Sequence, residues 1–391
     1  MALADVLKAI NKKFDTNVAQ IGVPELQKRG TLSLGSPSLD YCLYNSLPEG
    51  TWIEFNGLEG SGKTLVSFLV ASSYIKRELK RNPDAPRKIL FVDTECACDP
   101  DWALRATGYD MNSKEIETIY IQSTGQSAEE MFDIVRECVA TGEIGLVIFD
   151  SLSMLAGNQV NNEKLDKEQM GGIAKPLTNF NKRTTGLLNK YKCTFIGISG
   201  LYDNISGYGA PSVSIGGRQW KRSCMVRVLF KRGAPFDEEG NELKASAQSP
   251  AGHIIEMYVE KTKVCKWDRK LGVLHLNYDK GVDLVWDTIT TATALGLIKR
   301  INTQMYGLVN DDGEVYQQFR GEKNIKPFLE EHPELWRQLY DKCYEKLAIK
   351  DDPNAVAFEK MLNIDMSPEA LGFDINKQSE EEELVEDEED E

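Results

Sequence analysis

The chain has 391 residues, of which 41% are apolar and 27% are charged, and this composition excludes a wholly disordered or collagen-like protein. Its length allows two or three domains of ordinary size. The formal net charge is −15, but ten of the last twelve residues, Glu380 to Glu391, are acidic, which leaves −5 for the rest of the chain. A basic groove for nucleic acid is therefore compatible with the acidic total.

Cysteine and histidine usage predicts an intracellular protein without a zinc site. Eight cysteines in 391 residues are too few for a secreted disulfide framework, so we expect reduced thiols in a cytoplasm. Cys96 and Cys98 are close in sequence, but no second close pair and no nearby histidine completes the four ligands of structural zinc. Four charged residues lie among the first thirteen, which excludes a signal peptide. No apolar run approaches the ~18–20 residues of a membrane span.

The first predicted element is a short amphipathic helix over residues 2–14. Its apolar side chains fall on one helical stripe, and they are Leu3, Val6, Leu7, Ile10 and Phe14. A helix of this length is marginal by itself. We therefore expect it to pack on its own core or on an adjacent subunit.

Between residues 50 and 280, short β-branched runs alternate with amphipathic stretches. The predicted strands are TWIEF (51–55), KILFVD (88–93), TIYIQ (118–122), LVIFD (146–150), CTFIGIS (193–199), VRVLF (226–230) and HIIEMYVEK (253–261). The predicted helices cover 63–80, 127–141 and 173–190. This alternation, with near-continuous apolar strands, predicts an α/β domain around a largely parallel sheet.

The strand alternation is lost after residue 285. Helical stripes before and after Pro333 predict a small α-rich domain, and the polar, acidic end of the chain predicts a disordered tail. The predicted parts are an N-terminal oligomerisation helix with its linker (1–30), an α/β core (31–284), a C-terminal helical domain (285–350) and an acidic tail (351–391).

A glycine-rich segment carries the strongest functional signal. Residues 57–64, GLEGSGKT, fit the pattern G-x-x-x-x-G-K-[ST] between a predicted strand and a predicted helix, which is the context of a phosphate-binding P-loop. The glycines let backbone N–H groups turn toward phosphate oxygens, while Lys63 reaches the β- and γ-phosphates and the Thr64 hydroxyl ligates Mg²⁺. The predicted nucleotide-binding residues are Gly57, Glu59, Gly60, Ser61, Gly62, Lys63, Thr64 and Leu65.

Two carboxylates follow neighbouring predicted strands. Asp150 ends an apolar strand, at the edge where ligands of open α/β sheets bind, and is predicted to hold Mg²⁺ directly or through water. Glu95 follows KILFVD and should emerge at the same edge, so it is the candidate that orients or deprotonates an attacking water. With Lys63 as the phosphate cation, these residues predict an ATPase that uses ATP and Mg²⁺.

Further segments resemble the RecA-type strand-exchange recombinases, in the same order along the chain. They are LSLGSPSLDYCL (32–43), FVDTECACDP (91–100), IQSTGQSAEEM (121–131), LVIFDSLSML (146–155), IGGRQWKRSCMVRVLFKR (215–232), VEKTKV (259–264), YDKGVD (278–283) and GEKNIKPFLEEHPEL (321–335). The resemblance implies a RecA-like P-loop NTPase that forms a helical filament on single-stranded DNA and catalyses homology search and strand exchange in recombination and repair. The departures and the short C-terminal module favour a phage-borne member similar to UvsX, which would act in the host cytoplasm.

The resemblance also assigns roles to single residues. Glu95 takes the role of the catalytic glutamate, and Asp99, Trp102 and Tyr278 lie where the family contacts the adenine base. Lys261 and Lys263 match a lysine pair that reaches the γ-phosphate bound by the neighbouring subunit. Residues i and i+2 of a strand share a face, so the pair should extend the apolar stripe of the strand that precedes it. A solvated strand end is the alternative.

Two segments, 156–172 and 201–219, correspond to the family's DNA-binding loops. Glycines with interspersed basic and aromatic residues suit contacts to a single strand. The predicted DNA-binding residues are Tyr202, Tyr208, Gly216, Gly217, Arg218, Trp220, Lys221 and Arg222. A flexible surface loop without a ligand is the alternative for this segment.

One departure from the family concerns coupling between nucleotide and DNA. The family places Gln or His after the strand at 194–199, where it senses the γ-phosphate, whereas this chain has Gly200. The coupling must therefore be altered or moved, with Tyr202 or Asn204 as candidates. A recombinase paralogue or mediator without turnover, and a RecA-fold ring helicase, remain alternatives. The expected partners are single- and double-stranded DNA, further copies of the chain, and single-strand-binding and mediator proteins, with no membrane.

Overall fold

The computed structural model describes residues 2–14, 19, 29–44, 47–157, 172–203 and 212–347. Most of the first predicted DNA loop, the predicted DNA contact Tyr208, the candidate sensor Asn204 and the acidic tail lie outside these residues. Among the described residues, none of the helices is both long and apolar enough to span a bilayer.

A nine-stranded sheet forms the centre of the molecule. Its strands lie in the order β13-β12-β11-β10-β3-β7-β6-β4-β5. They are β3 (Trp52–Gly57), β4 (Lys88–Asp93), β5 (Thr118–Gln122), β6 (Ile144–Asp150), β7 (Thr194–Ser199), β10 (Val226–Phe236), β11 (Gly252–Thr262), β12 (Leu271–Asn277) and β13 (Gly281–Val282). The six strands from β10 to β5 run parallel, and β11 to β13 are added antiparallel. The prediction of an α/β fold with a largely parallel sheet is confirmed.

Three small sheets lie outside the central one. They are the pair β1 (Thr31–Leu32) and β2 (Leu47–Pro48), the pair β8 (Leu201–Asp203) and β9 (Ser212–Ser214), and the triplet β14 (Ile298–Arg300), β15 (Met305–Val309) and β16 (Val315–Arg320). The β8–β9 pair flanks residues 204–211, within the second predicted DNA loop.

Helices cover both faces of the sheet. They are α1 (Leu3–Phe14), α2 (Pro37–Cys42), α3 (Lys63–Arg81), α4 (Pro100–Thr107), α5 (Ala128–Ala140), α6 (Ala174–Tyr191), α7 (Gly217–Ser223), α8 (Leu284–Ala294), α9 (Ile325–Glu331) and α10 (Pro333–Leu347). Successive residues of a strand point to opposite faces, so Ile53 of β3 enters the core beneath α3 and Trp52 enters a second core beneath α5 and α6. Because both faces are covered, every residue of β3 and β6 is buried, as expected for parallel strands.

The C-terminal part, predicted as α-rich, also contains a small sheet. Helices α8, α9 and α10 are present, but the antiparallel sheet β14–β15–β16 lies between them. Helical periodicity missed this sheet because its last strand buries only Phe319, so no strong alternation of apolar residues marks it. Apolar side chains of α8 and α10, such as Ile289 and Leu347, belong to the same core cluster as the central sheet.

Candidate nucleotide and DNA sites

The P-loop connects the end of β3 to the start of α3. Gly57 and Gly62 have φ of 153° and 95°, the range that favours glycine. A Cβ on Gly57 would lie 2.4 Å from the carbonyl oxygen of Phe230, and one on Gly62 would lie 2.5 Å from Ile255 Cδ1. The loop packs so closely on β10 and β11 that only glycine fits at these two positions. The exposed residues 58–60 lie just before the N-terminus of a 19-residue helix, where the dipole favours an anion.

The Lys63 side chain is hydrogen-bonded to the backbone of its own P-loop. Its Nζ donates to the carbonyl oxygens of Gly57 and Leu58, at 2.9 and 2.8 Å. Burial lowers the pKa of Lys63, while the charges of Asp150 and Glu95 act in the opposite direction. The ammonium thus lies inside the loop, near the predicted metal ligand Asp150 and the predicted catalytic Glu95.

Asp150 joins the P-loop through Thr64. Thr64 Oγ1 donates to Asp150 Oδ2 at 2.6 Å, and the Asp150 side chain is almost completely buried at the end of β6. Burial raises the pKa of Asp150 to about 6, which the hydrogen bond from Thr64 and the charge of Lys63 partly oppose. A hydroxyl and a carboxylate at this separation are the oxygen donors that Mg²⁺ prefers, so the donor set fits the predicted cation.

Glu95 emerges beside Asp150, as the strand order requires. β4 and β6 are adjacent and parallel, and Asp93 pairs with Asp150. The buried Asp93 carboxylate accepts hydrogen bonds from the backbone N–H groups of Glu95 and Cys98, at 3.1 and 3.0 Å. The Asp93 carboxylate thus fixes the turn from which the exposed Glu95 side chain projects.

The neighbouring turns brace each other. Thr94 Oγ1 donates to the carbonyl oxygen of Ser151 at 2.7 Å, and the backbone N–H of Ser151 donates to Thr94 Oγ1 at 2.9 Å. Since these bonds join the residues that directly precede Glu95 and follow Asp150, they fix the two carboxylates relative to each other. Lys63, Thr64, Glu95 and Asp150 therefore converge at one edge of the sheet.

Two of the predicted adenine contacts, Asp99 and Trp102, lie at the start of α4. Asp99 caps α4 by accepting a hydrogen bond from the backbone N–H of Trp102 at 3.0 Å. The half-buried Trp102 ring lies 5.3 Å from the guanidinium of Arg105. These contacts position the aromatic side chain but do not by themselves identify a ligand.

Tyr278 belongs to a chain of polar contacts that leads to the P-loop. Its hydroxyl accepts from Arg232 Nη2 at 2.9 Å and lies 3.0 Å from His253 Nδ1. A Cβ on Gly60 would lie 3.7 Å from Arg232 Nη1. The sequence analysis did not single out Arg232, although it is the basic residue that β10 carries to the edge where the P-loop lies.

Lys261 and Lys263 lie at the other edge of the sheet. β11 is antiparallel to β10, Lys261 pairs with Arg227, and Arg227 pairs with Glu54 of β3. Glu54 precedes Gly57 by three residues, roughly 10 Å of strand, and Lys263 lies further still from the P-loop. Both Nζ groups donate to the carbonyl oxygen of Arg222, at 3.1 and 2.9 Å, near the C-terminus of α7.

The predicted apolar stripe does not reach Lys261. The register between β10 and β11 shifts between Arg227 and Val228, so Val259 pairs with Val228 while Lys261 pairs with Arg227. Consecutive residues of a strand alternate between faces, and the bulge therefore places Lys261 on the face opposite to Val259. The expectation that the lysines extend the stripe of Ile255, Met257 and Val259 is wrong. Both lysines nevertheless donate to the same carbonyl oxygen, that of Arg222.

One predicted DNA contact is contradicted by the structure. Trp220 is fully buried, with its ring centroid 5.7 Å from that of Trp52 and 6.1 Å from that of Phe195. It is a core residue that anchors α7 to the sheet. Its neighbours in sequence are basic, and these made the segment look exposed.

The other described DNA candidates lie at the surface or at its margin. Tyr202 is 46% exposed, Arg218 and Arg222 are exposed, and Lys221 is half-buried. Gly216 precedes α7 with φ of 100° and Gly217 begins that helix with φ of 71°. Gly200 has no side chain to act as a sensor, and its N–H donates to Ser153 Oγ at 2.7 Å.

Comparison with known proteins agrees with this arrangement. A family model described as the RecA N-terminal domain matches residues 1–283. The chain is 27% identical over 362 residues to Protein RecA of Lactococcus lactis subsp. cremoris strain MG1363, covering 92% of this chain and 87% of the relative. It is 27% identical over 350 residues to Protein RecA of Fusobacterium nucleatum, covering 89% and 85%. For Protein RecA of Ruminococcus albus the identity is 25% over 350 residues, covering 87% and 79%.

Proposed function

Since the chain belongs to the RecA family, we propose that it is an ATP- and Mg²⁺-dependent recombinase that assembles on single-stranded DNA and exchanges strands. The observation that carries this proposal is the convergence of Lys63, Thr64, Glu95 and Asp150 at one sheet edge. In addition, the chain is similar to RecA proteins over about nine-tenths of its length.

Each of the four residues has a chemical task. Backbone N–H groups of the P-loop and Lys63 bind the phosphates, and Lys63 exchanges its two carbonyl partners for phosphate oxygens. Thr64 and Asp150 hold the cation, and Mg²⁺ bound there neutralises charge on the transferred phosphoryl group. Glu95 orients and deprotonates the attacking water.

Catalysis is completed by a second copy of the chain. Lys261 and Lys263 lie too far from the P-loop of their own subunit to serve it, since they are at the opposite sheet edge. A neighbour's P-loop that approaches this edge would receive two cations, which stabilise transition-state charge. The exposed Leu3 and Val6 of α1, at 67% and 37% exposure, give such an assembly an apolar contact.

The proposal also covers the partners, the relatives and the location of the protein. Its further partners are double-stranded DNA, single-strand-binding proteins and mediators. Identities of 25–27% to bacterial RecA proteins and the missing sensor side chain at Gly200 support a phage-borne member similar to UvsX. The host cytoplasm is then the place of action.

The proposal is tested by measuring ATP hydrolysis with and without single-stranded DNA. Single-stranded DNA should raise the rate, and Lys63→Ala should abolish hydrolysis because the phosphate cation is lost. Lys299→Ala, which removes an exposed lysine of the C-terminal sheet, is the matched control and should behave as wild type. A wild-type protein that binds ATP but shows no DNA-stimulated hydrolysis would overturn the proposal in favour of a silent paralogue.

A further inference from the structure

A buried ionic cluster lies on the strand that leads into the P-loop. Arg227 of β10 donates through Nε to Glu54 of β3, and its Nη2 lies 3.0 Å from Glu260 Oε2 of β11. The Glu54 side chain is completely buried and the other two are 14% exposed. Asn56 Nδ2 donates to Glu260 Oε2 at 2.8 Å. Three neighbouring strands are thus joined through one guanidinium.

Stability alone is a poor explanation of this cluster. Replacing a buried ion pair by well-packed apolar residues is often neutral or stabilising, and the surrounding strands already supply a large apolar core. What the cluster fixes is geometry, because a guanidinium presents its donors in a rigid fork.

The cluster contacts the chain on both sides of the β8–β9 pair, within and next to the second predicted DNA loop. At one end, Ser199 Oγ donates to Glu54 Oε1 at 3.0 Å, and Ser199 directly precedes Gly200 and β8. At the other end, Arg227 Nη2 donates to Ser214 Oγ at 3.2 Å, and Ser214 is the last residue of β9. β8 and β9 pair with each other, with Leu201 opposite Ser214.

The cluster also extends to α7 and to the interface lysines. The carbonyl oxygens of Lys221 and Arg222, in the last turn of α7, accept hydrogen bonds from Lys261. Burial lowers the pKa of Lys221, and the nearby charges are those of Arg227, Glu54 and Glu260. The last turn of α7 and the two lysines therefore lie beside the same ionic cluster.

We propose that Arg227 is a positioning residue that couples the β8–β9 pair to the P-loop strand, in place of the side chain that is missing at Gly200. The inference rests on the proposed function, since it concerns how DNA raises ATP hydrolysis. Arg227 acts by holding Ser214 and Glu54 in one arrangement, so that DNA bound beside β8 and β9 stabilises the catalytic position of β3.

The test uses Ser214→Ala, since Arg227→Gln would leave two buried carboxylates without a cation and unfold the protein. Loss of this one hydrogen bond should leave the rate without DNA and the KM for ATP unchanged. It should reduce the DNA-stimulated kcat about threefold to tenfold, the range of one hydrogen bond. Ser214→Thr keeps the hydroxyl and should retain the stimulation.

A matched control removes a similar bond elsewhere. Thr293→Val deletes a 3.0 Å hydroxyl–carboxylate hydrogen bond to Glu322 in the C-terminal part, and it should leave both rates as in wild type. Equal stimulation in Ser214→Ala and wild type would overturn the role of Arg227 while leaving the proposed function intact. A wild-type protein without DNA stimulation would overturn both. An equal fall of the rates with and without DNA would mark a merely structural effect and also overturn the inference.

Discussion

Thr64 Oγ1 and Asp150 Oδ2 are joined by a 2.6 Å hydrogen bond although 86 residues separate them in sequence. The bond connects the first turn of the P-loop helix to the end of β6. It also brings together a hydroxyl and a carboxylate, which are oxygen donors that would hold Mg²⁺. The proposed ATP hydrolysis depends on this pair and on Glu95 beside it.

Glu95→Gln should separate binding from turnover. The amide keeps the size of the side chain but cannot accept a proton from water, so hydrolysis should fall by about 10²–10⁴ while ATP affinity remains close to wild type. Equilibrium binding of a fluorescent ATP analogue and single-turnover hydrolysis measure the two properties. Glu117→Gln, which changes an exposed carboxylate paired with Lys88, is the control. Undiminished turnover in Glu95→Gln would remove Glu95 from the mechanism.

Truncation after residue 379 should strengthen DNA binding. The deleted segment carries ten acidic residues, and a tethered polyanion competes with DNA for the same cationic surface. The gain should be largest for duplex DNA and should shrink as salt screens the charges. Binding isotherms over a salt series measure it, with a chain that keeps a neutral tail of equal length as control. Equal affinities of the truncated and full-length proteins would refute competition by the tail.

Asp287 should make stability depend on pH. The side chain is completely buried where α8 meets α2, and its Oδ1 accepts a hydrogen bond from the backbone N–H of Ser38. Burial raises the pKa of Asp287 to about 7 from 3.8. A carboxyl whose folded pKa is raised stabilises the protein fully below pH 4, and this contribution is lost as the pH rises through 7.

The corresponding measurement compares wild type with Asp287→Asn. The amide cannot ionise, so the variant should gain stability relative to wild type as the pH rises from 4 to 8, by on the order of a few kcal/mol. Urea unfolding at several pH values gives the free energies. Asp311→Asn changes an exposed carboxylate of the same C-terminal part and should produce no such trend. A constant difference between Asp287→Asn and wild type across this pH range would contradict the assignment.

The fold could be predicted in detail where a strand is a recognisable run of apolar or β-branched residues. The strand at 88–93 is predicted with the bounds that the structure has, because a parallel strand covered on both faces is a continuous apolar run. The edge strand at 118–122 has no buried residue, and its β-branched and aromatic residues predict its bounds. Glu95 could be placed beside Asp150 from strand endings alone. The bulge opposite Arg227 could not be predicted, since a register shift depends on the partner strand.

Two other features depended on tertiary packing. Trp220 lies in a basic segment, RQWKRS, that is typical of a surface, but aromatic side chains of β3 and β7 pack against it in the core. Arg227 has the same sequence signal as an exposed strand residue, and its role follows from the buried Glu54 on the adjacent strand. A residue whose role depends on a partner far away in sequence cannot be recognised from the residues next to it in the chain.

A mixing experiment is the most direct test of a catalytic site shared between two copies of the chain. Lys63→Ala and the double variant Lys261→Ala/Lys263→Ala should each lack DNA-stimulated ATP hydrolysis. Combined on single-stranded DNA, they should form sites with Lys63 from one copy and the lysine pair from the other, and hydrolysis should reappear. Electron microscopy of the mixture verifies that mixed filaments form. Mixed filaments that hydrolyse no ATP would contradict the shared site.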